Sequence, residues 1–425
     1  MKRLFVLAVV VLAALAMGAA VAANQSLPPD LARAPKVKVL VSFEKSPGAA
    51  EQRLVRELGG RVRYSYHLVP AMALELPLPA VELLRAQPGV LRVEEDGVVY
   101  ALDGELDNSW GVKRIGAGAV HAYNNKGTGI KISIIDTGIN CIHPDLDGNC
   151  AGGHDFVNDD SVPADDNGHG THVAGIAGAE DNDLGVVGVA PEADLYALKV
   201  LDAGGYGNWS DIIAALQWSV DEDVQVANLS LGSRINPGGT VHDAFTAAYE
   251  EGLLIVAAAG NSGNCRGVGD NVEYPARYDE VIAVAATDQN DQRPCFSSTG
   301  DQVELSAPGV NVNSTWLGSG YHVGTGTSMA SPHVAGTAAL VIASGITSNV
   351  EVRRILRDTA DDLGVTGKDN QFGYGLVDAD EAAPESGTEP TPTPTPTATP
   401  SEPQPTPTPT PCPPGWYRNG RCPPA

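Results

Sequence analysis

Five short runs with few polar residues, Ile130–Ile135, Leu195–Val200, Val224–Leu229, Leu253–Ala259 and Val281–Ala286, most constrain what this chain can fold into. Each has the length of a strand, and none shows the polar–apolar alternation of a strand with one wet face. Strands of that kind are covered on both sides, as in parallel sheets. Between the runs, apolar residues recur at helical spacing over 168–179, 208–220, 240–251 and 327–344. Strands joined through helices give a parallel sheet between two helical layers, so residues 103–384 are expected to form an α/β three-layer domain.

The flanking segments differ in kind. Residues 36–102 read as a small α+β unit, with strands over Val37–Phe43, Arg61–Tyr66, Met72–Leu76 and Val90–Glu94. Helices fit Ala49–Leu58, ended by Gly59-Gly60, and Pro79–Gln87, which makes a ferredoxin-like βαββαβ order. Residues 1–23 read as an export signal: Lys2 and Arg3, an apolar run from Leu4, then the small residues Ala20-Val21-Ala22. The run is long enough that an uncleaved membrane anchor stays open as the alternative. From Glu385 to Pro411 repeated Thr-Pro cannot pack a core and is expected to be an extended spacer, rising about 3.1 Å per residue. The tail 412–425 is too short to fold alone, although a Cys412–Cys422 loop would order it. Charge is uneven: residues 24–102 hold 10 Lys and Arg against 9 Asp and Glu, whereas 103–411 hold 13 against 43. Such acidity argues against nucleic acid or an anionic membrane as partner.

Three separated stretches carry residues suited to nucleophilic catalysis: Ile134-Ile135-Asp136-Thr137-Gly138, His169-Gly170-Thr171-His172-Val173-Ala174-Gly175 and Gly326-Thr327-Ser328-Met329-Ala330-Ser331-Pro332. A serine hydroxyl is a poor nucleophile until an imidazole takes its proton, and a third group must hold that imidazole in one tautomer. Other readings exist for each piece. Asp-Thr-Gly also marks aspartic proteases, but these need two such carboxylates and the chain has no second one after a strand. His169 and His172 have the spacing of a zinc pair, without a third ligand motif. Thr-Ser ahead of a helix is commonly just an N-cap.

Taken together, in the order Asp, His, Ser, the motifs resemble those of the subtilisin-like serine proteases over about residues 36–384. The resemblance implies that Ser328 attacks, with Pro332 in the first turn of its helix, that His169 is the base and that Asp136 orients it. Asn261, in Ala259-Gly260-Asn261-Ser262-Gly263, would give the side-chain donor of an oxyanion hole. Ser230-Leu231-Gly232 would lie along the substrate as an edge strand. Glu273, before Tyr274-Pro275, would stand at the floor of the S1 pocket, where many relatives have Gly or Ser; a carboxylate there favours Lys or Arg at P1, against Leu102 at the expected processing point. A structural Ca²⁺ would be held by the Asp145 and Asn182 side chains and the carbonyls of Glu180, Leu184 and Val186, with Glu105 or Asp107 as a further ligand.

The N-terminal unit resembles the family's propeptide, most clearly at Val93–Leu102, and would be chaperone and inhibitor, cleaved after Leu102. The six cysteines admit 15 connectivities, of which the simplest is three local pairs, Cys141–Cys150, Cys265–Cys295 and Cys412–Cys422; the second resembles a disulfide of thermophilic relatives. The expected protein is a secreted, monomeric, calcium-stabilised endopeptidase made as a zymogen, acting on proteins and peptides with broad specificity, with its own propeptide as inhibitor. A silent cell-surface binding protein and a processing enzyme cutting one partner after a basic residue are the alternatives.

Overall fold

The computed structural model describes residues 34–97 and 104–384. The signal segment, the junction at Leu102, the Thr-Pro spacer and the Cys412–Cys422 pair lie outside the described residues. The chain divides into two units, Met1–Tyr100 and Ala101–Ala425.

In the first unit the order is β1 (Lys36–Phe43), α1 (Ala49–Glu57), β2 (Arg61–Ser65), β3 (Ala71–Pro77), α2 (Leu78–Arg85) and β4 (Val90–Glu95). The strands pair antiparallel in the order β2-β3-β1-β4. Val39, Val41 and Phe43 alternate onto one buried face, where Val55 of α1 and Leu84 of α2 meet them. This is the expected ferredoxin-like arrangement.

In the second unit three short helices, α3 (Gly104–Asn108), α4 (Trp110–Arg114) and α5 (Ala117–Ala122), precede the sheet. Its strands are β5 (Lys131–Asp136), β6 (Cys150–Asp155), β7 (Asp194–Lys199), β8 (Val226–Leu229), β9 (Leu254–Ala258), β10 (Val281–Thr287) and β11 (Val303–Pro308). They run β11-β10-β9-β8-β5-β7-β6, parallel throughout. Period-two alternation sorts the side chains onto two faces. Ile132 and Ile134 of β5, Val256 of β9 and Val284 of β10 point to one side, where α6 (His169–Gly178) and α9 (Thr327–Ala343) cover them. Ile135, Ile255 and Ala283 point to the other, against α7 (Trp209–Asp221) and α8 (Gly239–Glu250). The three layers are therefore present, and the elements read from periodicity begin and end within two residues of their expected limits.

The elements that periodicity misses have physical reasons. Edge strand β6 reads Cys-Ala-Gly-Gly-His-Asp, with Gly152 and Gly153 at φ 134° and 147°. A Cβ on Gly153 would fall 1.8 Å from the Ala197 carbonyl oxygen, so this strand pairs with β7 only through glycine. At the opposite edge β11 carries a buried carboxylate, Glu304, matched by Arg353 and Arg357 at 2.7 and 2.6 Å. Arg353 belongs to α10 (Asn349–Asp358), whose buried stripe of Val352, Ile355 and Leu356 has helical spacing that the reading passed over. The hairpin β12 (Val312–Thr315) and β13 (Tyr321–Gly324) stands outside the main sheet, and α11 (Ala379–Ala382) ends the described chain.

Candidate active site

All strands of the sheet point the same way, so the turns after them collect at one edge, where helix N-termini also arrive. Asp136 is the last residue of β5 and has no exposed side-chain surface; His169 is the first of α6 and is 30 % exposed. His169 Nδ1 lies 2.7 Å from Asp136 Oδ1, which also accepts from the Thr137 N–H at 2.7 Å. Burial works against charge on the imidazole, but Asp136, aided by Asp165, outweighs it and raises the His169 pKa above its ordinary value. Asp136 thus faces an imidazole, as the serine-protease reading expects, and not a second carboxylate.

Ser328 is the second residue of α9, where backbone N–H groups lack intrahelical acceptors. Its hydroxyl donates to the Ser230 carbonyl at 3.2 Å and not to His169, so engagement of the base requires rotation of the side chain. Pro332 is the sixth residue of α9, one turn deeper than expected. Having no N–H, it leaves the Ser328 carbonyl without its helical donor. The Ser230 hydroxyl supplies the missing bond at 2.8 Å, and Asn228 Nδ2 donates to Ser230 Oγ at 3.0 Å. The proline therefore opens the helix where a substrate-side residue can attach to it.

Asn261 Oδ1 accepts from the Thr327 N–H at 3.0 Å and from Thr327 Oγ1 at 3.1 Å. With the oxygen so occupied, the Nδ2 donors turn the other way. A Cβ built on Gly326 would lie 3.5 Å from Asn261 Nδ2 and 3.7 Å from both Asn261 Oδ1 and Ser328 N. The Asn261 amide and the Ser328 N–H thus come together beside Gly326. Thr327, whose N–H and hydroxyl orient this amide, is a residue that motif reading passes over as part of a helix cap.

Ser230, Leu231 and Gly232 continue past β8 along a cleft of about 440 Å³, which His169 also lines. Leu231 and Gly232 have no backbone hydrogen bond among the described residues. Beyond them Ser233 and Tyr274 exchange two bonds of 2.8 Å, which fixes Glu273 against the same wall. Glu273 Oε1 accepts from Ser262 Oγ at 2.6 Å. A Cβ on Gly232 would meet Glu273 Oε2 at 3.0 Å and one on Gly260 would meet its Cγ at 2.6 Å, so the carboxylate occupies the slot between the two walls.

Away from the cleft, the loop Glu180–Val186 wraps Asp145. Asp145 Oδ2 accepts from the Val186 N–H at 3.2 Å, and the Asp145 carbonyl accepts from the Glu180 N–H at 2.9 Å. Asn182 Nδ2 donates to the Pro144 carbonyl at 3.0 Å. Glu105 Oε1 takes the N–H groups of Asn182 and Leu184 at 3.3 and 2.5 Å, whereas Asp107 pairs with Lys113 at 2.6 Å. Of the two acidic candidates, then, Glu105 reaches the loop. Burial raises the pKa of the Asp145 carboxyl against the Val186 N–H and the Tyr321 hydroxyl, which favour its charge, and Oδ1 takes no hydrogen bond of ordinary length. A buried carboxylate oxygen left without a full hydrogen bond suits a hard cation. Among the described residues no three His, Cys, Asp or Glu are grouped for a metal, so a cation here would lean on backbone oxygens. Disulfides join Cys141 to Cys150 and Cys265 to Cys295.

His172 does not join His169. Its Nε2 donates to the carbonyls of Val312 and His322 at 3.1 and 2.9 Å, which removes the zinc-pair reading. His172 Nδ1 and, on α9, His333 Nε2 are buried without partners, and burial pushes both pKa values down to about 4. A base whose folded pKa is depressed leaves the native state with fewer bound protons than the unfolded one, so stability falls as pH drops from about 6.5 towards 4. The loss expected by pH 4 is on the order of 3 kcal/mol for each imidazole. Thermal melts of an inactive variant should decline over that window; a Tm flat from pH 7 to 4.5 would sink this account.

Among known proteins, the family model described as the subtilase family matches residues 127–375. An "Alkaline protease" of Alkalihalobacillus alcalophilus is 45 % identical over 320 residues, 75 % of this chain and 80 % of that one. "Subtilisin Savinase" of Lederbergia lenta is 48 % identical over 274 residues, 64 % of this chain and 97 % of the relative. "Minor extracellular protease Epr" of Bacillus subtilis is 39 % identical over 363 residues, 82 % of this chain and 55 % of the relative. The matched span contains the Asp136, His169 and Ser328 motifs and the whole sheet, and the chain is a serine endopeptidase of the subtilase family.

Proposed function

We propose that the chain hydrolyses peptide bonds through Ser328, His169 and Asp136. Ser328 Oγ attacks the carbonyl carbon while His169 Nε2 takes its proton, and Asp136 Oδ1 stabilises the imidazolium through Nδ1–H. The tetrahedral oxyanion is held by the Ser328 N–H and Asn261 Nδ2. The C–N bond breaks as Nε2 returns the proton to the leaving amine. Water, deprotonated by the same nitrogen, then releases the acyl group as a carboxylate and restores the serine. The observation that carries this reading is the 2.7 Å bond from His169 Nδ1 to the buried Asp136, with the Asn261 amide and the Ser328 N–H coming together beside Gly326.

Leu231 and Gly232, with unpaired backbones, would form main-chain hydrogen bonds to an extended substrate, which favours unfolded chains and broad side-chain tolerance. Glu273 adds a bias within that tolerance. Its Oε1 is satisfied by Ser262, and Oε2 remains to meet a Lys or Arg at P1. Denatured casein should be digested to many small peptides, with Lys and Arg over-represented at the new C-termini; Glu273→Gly should remove that bias without lowering total digestion. A single nick would favour a narrow processing enzyme, and intact casein a binding protein.

Calcium at the Asp145 loop would be structural. Asp145 and Asn182 through side chains, Glu180, Leu184 and Val186 through carbonyls, and Glu105 would hold it, tying the N-terminal segment to the end of α6. A ligand that binds only the native state stabilises it by mass action. Excess EDTA should shorten the half-life at elevated temperature severalfold, and added Ca²⁺ should restore it; an unchanged half-life counts against the site. Export as a zymogen, with residues 24–102 removed after Leu102, completes the reading. Support comes from the ferredoxin-like first unit and from the extracellular protease of Bacillus subtilis among the relatives.

A further inference from the structure

We infer that Asp165 is a positioning residue for His169, clamping the backbone on both sides of the imidazole and joining it to the turn that carries Asp136. The inference rests on His169 being the base.

Asp165 lies in the Asp165-Asp166-Asn167-Gly168 run just before α6, and its carboxylate accepts five hydrogen bonds. Oδ1 takes the N–H groups of Asn167 at 3.0 Å and Gly168 at 2.9 Å, together with the Thr137 hydroxyl at 2.9 Å. Oδ2 takes the Thr171 N–H at 2.9 Å and the Thr171 hydroxyl at 2.6 Å. Four of the five donors therefore come from residues within two positions of His169. The fifth, Thr137 Oγ1, in turn accepts from the Gly170 N–H at 2.9 Å. Gly168 and Gly170, the two neighbours of His169, are thus both tied to Oδ1, one directly and one through Thr137.

Thr137 is also the residue after Asp136, to whose Oδ1 its own N–H donates. The two segments whose side chains meet at 2.7 Å, Asp136–Thr137 and Gly168–Gly170, share one anchor. Contact is close: a Cβ on Gly170 would fall 2.2 Å from the Gly138 carbonyl oxygen. A loop that merely capped α6 would have no need of a bond across to β5. A five-donor carboxylate spanning both segments fixes where the imidazole stands relative to Asp136, the kind of placement on which proton transfer depends.

The charge matters as well as the bonds. Burial of the imidazole opposes its protonation; Asp136 from the end of β5 and Asp165 from the loop before α6 favour it. The other charged or titratable groups here are His172, which stays neutral further along α6, Asp166 next to Asp165, and Lys199 from β7. The Lys199 ammonium is held by Asp166 Oδ1 at 2.7 Å and by the carbonyls of Thr137 and Leu201 at 2.8 and 2.9 Å. Removing the Asp165 charge should therefore make His169 easier to deprotonate.

The test is the pH profile of kcat/KM on a peptide anilide for wild type, Asp165→Asn and Thr137→Val, with kcat, KM and Tm measured separately. Asp165→Asn should move the acid-limb midpoint down by about half a pH unit and lower kcat about tenfold with KM within about twofold. Thr137→Val, which cuts the bridge and keeps the charge, should lower kcat and leave the midpoint in place. A profile and kcat matching wild type, with only Tm reduced, would show a structural loop and overturn the inference. If Asp165→Asn does not fold, an unchanged kcat in Thr137→Val overturns it alone. Failure of the underlying reading shows itself differently, as substantial activity in His169→Ala.

Discussion

Expressed side by side with wild type, Ser328→Ala is expected to keep residues 24–102 covalently attached, while the wild-type chain starts at about Asp103. Loss of the nucleophile costs about a millionfold in kcat, because base and orienter have nothing to activate. The cut after Leu102 is intramolecular on this account, and a high effective concentration lets it proceed with a side chain that Glu273 does not favour. The substitution removes one oxygen whose bond is a 3.2 Å contact to the Ser230 carbonyl, and the α9 N-terminus keeps its anchors at Asn261 and Ser230. Folding should therefore survive, and intact mass with N-terminal sequencing reads the result directly. Equal processing of both chains would mean that another protease makes the cut or that Ser328 is not the nucleophile; activity of the trimmed mutant on casein then decides which.

The sheet was legible because its central strands are buried on both faces and so lose polar residues, and the helices because their stripes pack on those faces. Edge strands escaped for opposite reasons. β6 is built of glycines that a close approach to Ala197 requires, and β11 hides Glu304 beside Arg353 and Arg357 from a segment too far along the chain to be linked by pattern. The chemistry-bearing residues were legible as motifs because each sits at the end of a strand or the start of a helix. Their supports were not. Thr327 looks like a cap, Asp165 like one acid in a solvated run, and Ser230 like the end of a strand; each gains its meaning from a bond to a residue 28 to 98 positions away. Pro332 illustrates the limit well. Sequence placed it at the helix start, where proline is harmless, whereas five residues further into α9 it frees a carbonyl that Ser230 then takes.

Asn261→Ala should fold, bind substrate as wild type does, and turn over about 10²–10³ times more slowly. Two consequences follow from the position of this side chain. Its amide nitrogen meets charge only when the carbonyl oxygen has become an oxyanion, so the loss should fall on kcat and leave KM nearly fixed. Its oxygen, by contrast, anchors the first turn of α9 through the Thr327 N–H and hydroxyl, and alanine removes those bonds too. Asn261→Asp separates the roles: it keeps the acceptor for Thr327 but replaces the donor by a charge that repels the oxyanion. If donation is what matters, Asp should be at least as slow as Ala while melting closer to wild type. Recovery of kcat in the Asp variant would instead assign Asn261 to holding α9 in place, leaving the Ser328 N–H as the oxyanion donor on its own.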